Sequence, residues 1–417
     1  MRPPVIMISG KDPIREAGVG HTTYIRAHAL AALRAGYEPH LLVVSPAAEV
    51  VESEFGHIHR VRSPWPYGRG DGIGYRQWLL WLHAPLLARA GAALAQRLHA
   101  PSIVHAFGPY GGVADAIARR SGGRAVPILS AYTTMGHELA GKAAGLRAVS
   151  RRRTRWRVRA EEVAVRLATA RGERRGFARA RIILVNYESV RRIVVSDYGG
   201  ADRIVRIPYA PDTAFRNQHP PARTGAGVPL ILALNRHDPR KRIPTLLEAL
   251  ALLKARGVPY RARLAGGGLL LAEHRQAVER LGIKDRVEVP GFVPDAMAEL
   301  RGADIFALHT LEEGGGSMAL LEAMQAGLPG VVTAVDGLVE DVADGNEALL
   351  VPPADAPAFA AALERLIANR TLRLAMGARA RATFERRFAA GPLVDALGRV
   401  YAEVLTEVPH AHRRRQA

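Results

Sequence analysis

Two stretches of this sequence bring together residue types that could hold a charged, polyhydroxylated ligand. In LILALNRHDPRKRIPTLLEAL, residues 230–250, an apolar run breaks into a basic turn and then opens a helical pattern. Arg236 and Lys241 stand five residues apart in that turn. Backbone N–H groups at a helix start, joined by two cationic side chains, suit an anion such as a diphosphate. In EEGGGSMALLEAMQAGLP, residues 312–329, three glycines precede a helical run, and Glu322 sits among Leu320, Leu321, Ala323 and Met324. Burying an ionised carboxylate without partners costs several kcal/mol, so Glu322 is expected to have a partner. A nucleoside diphosphate at one end and bound hydroxyl groups at the other is the ligand these two stretches predict.

The elements that must position these residues read as parallel sheets. In the first half, short Val/Ile/Leu runs at 5–9, 41–44, 103–106, 127–132, 182–185 and 204–208 alternate with helical patterns. The stretch 219–229, HPPARTGAGVP, is rich in Pro and Gly and reads as a linker. The second half repeats the alternation at 230–234, 262–266, 287–289, 305–308, 331–333 and 349–351. Continuous apolar strands between helices are the pattern of a parallel sheet covered on both faces. The fold class expected is α/β, with two doubly wound Rossmann-like domains facing across a cleft. The first domain is assigned to 1–218, the linker to 219–229 and the second domain to 230–390. A last helix with a basic tail takes up 391–417. Ligand is expected at the carboxyl ends of the strands.

Composition bounds the function class. The chain of 417 residues exceeds one ordinary core, and its 48% apolar residues suffice for two. No apolar run is long enough to span a membrane. MRPPVIMISG passes straight into a strand-like run, so a cytoplasmic protein is expected. With no cysteine, disulfides, thiolate metal sites and cysteine nucleophiles are excluded. The formal charge of +19 is concentrated: residues 147–181 hold 13 Arg against three Glu. Arg-rich solvated helices account for such a run as readily as attraction to anionic lipid, charged polysaccharide or nucleic acid does.

Arg236, Lys241, the run Leu320-Leu321-Glu322-Ala323-Met324 and the turn Gly327-Leu328-Pro329 are also where the sequence resembles a known family. It is similar to the retaining glycosyltransferases of family 4, which have two Rossmann-like domains in the GT-B arrangement. The match is specific over about 229–370 and looser over 1–215. Two glycines of the family pattern differ: Asn235 precedes the Arg and Arg242 follows the Lys. The resemblance implies a nucleotide-sugar donor of UDP or GDP type and a glycan or lipid-linked acceptor bound by the first domain. No other cofactor is implied. The final helix would cross back to the first domain.

The same resemblance assigns roles. Arg236 and Lys241 would neutralise the departing diphosphate, and Glu322 would bind the ribose hydroxyls. The family's upstream Glu falls on Gly314 here. Either the glycine loop absorbs one residue and Glu313 takes the role, which is the favoured reading, or the amides of Gly315 and Gly316 bind the sugar. Phe292 and Val293, in GFVP, match the turn that meets the nucleobase. His105, ending the run IVHA, would face the donor sugar, with His137 the weaker candidate. Gly18 and Gly20, in EAGVGHTTY, resemble the loop that approaches the donor phosphate, although a helix cap explains them nearly as well.

Other chemistries find less support. A dinucleotide-binding loop fails because Thr23 replaces its third small residue and Ser45, rather than an acid, ends the second strand. His57-Ile58-His59 offers two imidazoles with no third ligand evident, and the segment reads as a loop. No metal ligand set is expected, and the chemistry is expected to be metal-independent. Within 151–175, Trp156, Ala160, Val163 and Leu167 share one helical face and Arg155, Arg159 and Arg166 another. That pattern suits a helix lying on an anionic membrane, or one packed on its own domain. Trp78 and Trp81 lie in an apolar segment of the same domain. Nucleic acid is not an expected partner. The alternative function is a catalytically inactive polyanion-binding protein that kept the fold.

Overall fold

The structure, a computed structural model, describes residues 2–10, 12–15, 20–65, 80–98, 100–145, 152–216 and 227–413. It contains two sheets. The first comprises β1 (Pro4–Ile8), β2 (Glu38–Ser45), β3 (Glu49–Ser53), β4 (Gly56–Arg62), β5 (Ser102–Phe107), β6 (Ala125–Ala131), β7 (Ile183–Val185) and β8 (Ile204–Arg206). Their order is β3-β4-β2-β1-β5-β6-β7-β8. Every pairing is parallel except the antiparallel β3–β4 edge. The central strands β1 and β5 are buried along their whole length. Burial on both faces makes a strand uniformly apolar, so these strands are readable in the sequence.

The edge is different. β3 and β4, EVVES and GHIHRVR, mix charged residues and histidines with valine and isoleucine. Polar outer strands are how sheets avoid sticking edge to edge, and they leave no continuous apolar run to find. His57-Ile58-His59, expected in a loop, therefore lies in β4.

The second sheet comprises β9 (Leu230–Leu234), β10 (Arg261–Ala265), β11 (Val287–Gly291), β12 (Ile305–Leu308), β13 (Gly330–Thr333) and β14 (Ala348–Val351). Its order, β11-β10-β9-β12-β13-β14, runs outward in both directions from β9 and β12. Strand order thus reverses between β9 and β12, and between β1 and β5 in the first sheet. The loops leaving such strands diverge and open a crevice at their carboxyl ends. The helices Ile243–Ala255 and Ala356–Ala368 cover the second sheet, burying Leu246, Leu250, Phe359 and Leu363 completely.

Contacts beyond the basic turn also join the halves. The Glu340 carboxylate accepts the backbone N–H groups of Glu188 and Ser189, each at 2.9 Å. That places an acid at the start of the helix Glu188–Tyr198, where the free amides favour negative charge. The last helix, Ala390–Arg413, lies against the first domain: Tyr401 is wholly buried there, its ring 5.0 Å from that of Tyr37. Of the stretch read as a linker, 219–229, residues 219–226 lie outside the described residues.

Candidate active site at the domain cleft

The basic turn leaves β9 at the switch point. After Asn235 the chain makes a short 3-10 turn, Pro239–Lys241, held by the Asp238 carboxylate accepting the N–H of Arg240 at 3.0 Å. Arg242 takes a left-handed conformation, φ +49°, and the helix Ile243–Ala255 follows. This turn aims Arg240 and Lys241 at the loop leaving β12. Arg240 donates to Glu312 at 2.9 Å, and the Lys241 ammonium pairs with Glu313. Both carboxylates are nearly buried, with side-chain exposures of 4% for Glu312 and 7% for Glu313. Two parallel ion pairs thus bridge the loops on either side of the switch point.

Electrostatics follow from that burial. Burial pushes the Glu312 carboxyl up, and the Arg240 guanidinium opposes it. Burial also disfavours the charge on Arg240, but Glu312 and Asp238 outweigh it and hold the guanidinium protonated. Asp336 lies beside the pair. Its Oδ2 accepts the N–H groups of Glu313 (2.9 Å) and Gly314 (3.1 Å) and stands 3.4 Å from His137 Nε2. Burial would raise Asp336, but the imidazole and the two amides hold it below the ordinary carboxylate range. The hydrogen bond to Asp336 raises the pKa of His137 in turn, against burial.

The opposite wall comes from the first domain. β6 ends at Ala131, and Tyr132 and Thr133 lead into the helix Met135–Gly145, which carries His137. The glycine loop presses on this wall. A Cβ at Gly315 would lie 2.6 Å from the Tyr132 carbonyl oxygen, so only glycine admits the approach. Gly316 lies against Tyr187.

The structure brings together Lys241, Glu313, Gly315 and Gly316, but not every expected residue. Arg236 is exposed at the rim and makes no ion pair with a described residue. Phe292, which follows β11, is 50% exposed, and Val293 is half-buried. Glu322 lies on the helix Met318–Gln325, and its side chain makes no hydrogen bond or ion pair with a described residue. Burial raises its pKa to about 8, with Asp212 adding to the shift and Arg26 opposing it. Gly20 opens the helix Gly20–Arg34, while Gly18 lies outside the described residues.

His105 is a correction. It is wholly buried in the first domain, Nδ1 2.7 Å from the Tyr401 hydroxyl and Nε2 2.7 Å from that of Ser130. Burial, with His28 adding, lowers its pKa well below the usual imidazole value. With both nitrogens occupied inside the core, it ties the last helix to β5 rather than facing a donor sugar. His137, by contrast, lies at the cleft beside Asp336.

Three contributors escaped sequence reasoning. Arg240 looked like one more surface charge beside Lys241, and only its fold partner Glu312 marks it out. Asp336 carries no local signal except the Asp-Gly pair typical of a tight turn. Gly266-Gly267-Gly268, after β10, did leave a signal in three consecutive glycines. A Cβ at Gly266 would run into the Asn235 carbonyl, so glycine lets the β10 loop lie against the basic turn. His137, Glu312 and Asp336 also offer ligand atoms within 4.8 Å of one another, a group that could hold a cation. Sequence reading had expected no metal ligands.

Comparison with known proteins agrees with this geometry. Residues 215–383 match the family model of the glycosyl transferases group 1. The chain is 30% identical over 216 residues to the lipopolysaccharide core biosynthesis glycosyltransferase LpsE of Rhizobium meliloti (strain 1021), covering 52% of this chain and 58% of that protein. The chain therefore spans less than two thirds of that relative's length. Its fold is similar to sucrose-phosphate synthase from Thermosynechococcus elongatus, with a TM-score of 0.76 at 20% identity over 97% of this chain and 100% of that one. It is also similar to Anabaena HepE, solved in complex with UDP and glucose, with a TM-score of 0.65 at 18% identity over 96% and 99% of the two chains. The chain thus has the two-Rossmann GT-B fold, and its residues 215–383 carry a domain that matches the glycosyl transferases group 1.

Proposed function

We propose that this protein is a retaining glycosyltransferase of family 4 that moves a hexose from a nucleoside diphosphate donor to a glycan or lipid-linked acceptor. Polysaccharide or glycolipid assembly at the cell surface would be its setting. The observation that carries this reading is the pair of ion bridges, Arg240–Glu312 and Lys241–Glu313, at the switch point of the second sheet. Cations held there by carboxylates are ready to meet a diphosphate leaving group, whose developing charge they would neutralise. Arg236 at the rim would reach the same phosphates, and Glu322 the ribose. Phe292 and Val293 would meet the base, and Glu313 with Gly315 and Gly316 the sugar. The LpsE similarity and the UDP-bound neighbour support a sugar-nucleotide donor.

The reaction is proposed to be metal-independent. Arg240 and Lys241 already place two cations where the leaving diphosphate would lie, and Arg240 partly offsets the charge of Glu312, so the leaving group would be neutralised without an ion. A panel of UDP-, GDP- and ADP-sugars, scored by released diphosphate with and without a chelator, tests this directly. One donor should be turned over in both conditions. If no nucleotide binds while DNA or RNA binds tightly and salt-sensitively, an inactive polyanion-binding protein is the correct reading.

The acceptor domain is proposed to rest on an anionic membrane. No helix among the described residues is long and apolar enough to cross one. On the helix Arg152–Arg179, however, Trp156, Val163 and Leu167 are 74%, 57% and 77% exposed. The apolar face is thus not covered by its own domain, and an exposed apolar face on an Arg-rich helix is the form of an interfacial anchor. Trp78 lies outside the described residues, and so does the side chain of Trp81. The protein should co-sediment with anionic vesicles at low salt and release as the Debye length shrinks. Neutralising Arg151, Arg152, Arg153 and Arg155 should weaken binding by about 1 kcal/mol per residue. Equal binding to neutral and anionic vesicles would rule out the electrostatic attachment.

A further inference from the structure

The polar edge of the first sheet gathers histidines and carboxylates that the cleft does not use. In the register of β2 and β4, His40 lies opposite His57, and in that of β3 and β4, Glu52 lies opposite His57. Residues two apart on a strand share a face, so Glu38 and His40 stand together on β2, and His57 and His59 on β4. The His40 and His57 rings stack with centroids 4.8 Å apart. Glu38 Oε1 is 2.9 Å from His57 Nε2 and 3.8 Å from His40 Nε2. All three donor atoms lie within 4.8 Å of one another.

We propose that Glu38 Oε1, His40 Nε2 and His57 Nε2 bind a divalent transition-metal ion, zinc first among them. Zinc bonds of about 2.0–2.2 Å in tetrahedral geometry set ligand atoms roughly 3.4 Å apart, so small side-chain adjustments suffice. Two imidazoles and a carboxylate favour zinc and its neighbours over magnesium or calcium, which take oxygen ligands.

Two further observations point the same way. His40 is 7% exposed and its Nε2 is buried with no hydrogen-bond partner. The remaining ring nitrogens are oriented from behind, as metal-binding histidines are. His57 Nδ1 lies 2.6 Å from Glu52 Oε1, and His40 Nδ1 lies 3.0 Å from His59 Nε2. An Nδ1–H donated along each contact leaves both Nε2 lone pairs facing Glu38. Hydrogen bonds from His57 to Glu38 and Glu52 would explain those two contacts, but they would leave the buried His40 Nε2 unsatisfied.

The place in the fold assigns the ion's work. Glu38 begins β2, and His57 lies at the start of β4. The cluster is therefore at the amino ends of the strands, away from the crevice at their carboxyl ends. There the ion would fasten the β3–β4 edge to β2, a structural role. Glu38 and His57 remain part-exposed, at 39% and 28% of their side chains, which leaves the fourth position to water.

Untagged full-length protein, stripped by chelator and re-equilibrated with zinc or cobalt(II), provides the test. Wild type should bind one equivalent more than His57→Ala and than Glu38→Gln, with circular dichroism confirming that both variants are folded. Glu52→Gln should weaken that equivalent by about 10- to 100-fold. Zinc should raise the unfolding midpoint of wild type and of His137→Ala, but not that of His57→Ala. Equal metal content and equal midpoint shifts in wild type, His57→Ala and Glu38→Gln would overturn the proposal, as would no metal in wild type.

Discussion

Lys241→Ala should lower turnover of a sugar-nucleotide donor by about a hundredfold to a thousandfold, the usual cost of removing one preorganised group that stabilises developing charge. The change also acts on the fold. Lys241 pairs with Glu313, and the two side chains are only 10% and 7% exposed. Deleting the ammonium leaves a nearly buried carboxylate alone, which costs about 3–5 kcal/mol in comparable buried pairs. A loss of activity by itself would therefore be ambiguous. The double variant Lys241→Met with Glu313→Gln removes both charges, so it should recover most of the unfolding midpoint lost in Lys241→Ala. Turnover should stay low in both. A folded double variant with near-native turnover would show that neither charge serves the reaction.

The same residues explain what was legible beforehand. Lys241 and Glu322 sit in continuous local patterns, a strand–turn–helix and an apolar helix with one acid in it, and local patterns survive in sequence. β1, β5 and the inner strands β9, β12 and β13 of the second sheet were equally plain, because burial on both faces forces an apolar run. The Arg240–Glu312 bridge joins positions 72 residues apart, and the contact of His137 with Asp336 joins positions 199 apart. Nothing local distinguishes such residues from solvated charges.

His105 shows the converse failure. A histidine ending a buried strand looks the same in sequence whether its ring meets a ligand or the core. Tyr401, which occupies its Nδ1, lies 296 residues away. The metal cluster was hidden for a third reason. Its proposed ligands sit on two strands at a polar edge, with Glu52 behind them on a third, and recognising such a set requires the register of β2, β3 and β4.

Glu322→Gln should alter both the pH dependence of stability and the binding of nucleotide. The folded carboxyl, raised by burial and then by Asp212, keeps its proton up to about pH 8, whereas its ordinary value is 4.5. Between those two values the folded chain holds a proton that the unfolded chain has released. This group's contribution is therefore fully present below pH 4.5 and is lost as pH climbs through about 8. It amounts to a few kcal/mol. Glutamine cannot ionise, so the variant's unfolding midpoint should gain on wild type between pH 5 and pH 9, ranges set by that window. Binding should respond in the opposite sense. With Glu322 in its proposed role, the ribose hydroxyls would donate to the ionised carboxylate, so a nucleoside diphosphate entering below pH 8 would displace the proton. Affinity for UDP or GDP in wild type should rise with pH up to that point, and calorimetry in buffers of different ionisation enthalpy should register proton release. The variant should lose both effects, together with about 1.5–3 kcal/mol of binding, the worth of hydrogen bonds to a charged group. If affinity and proton release are unchanged in the folded variant, Glu322 does not hold the ribose, and its raised pKa reflects only burial, with Asp212 adding.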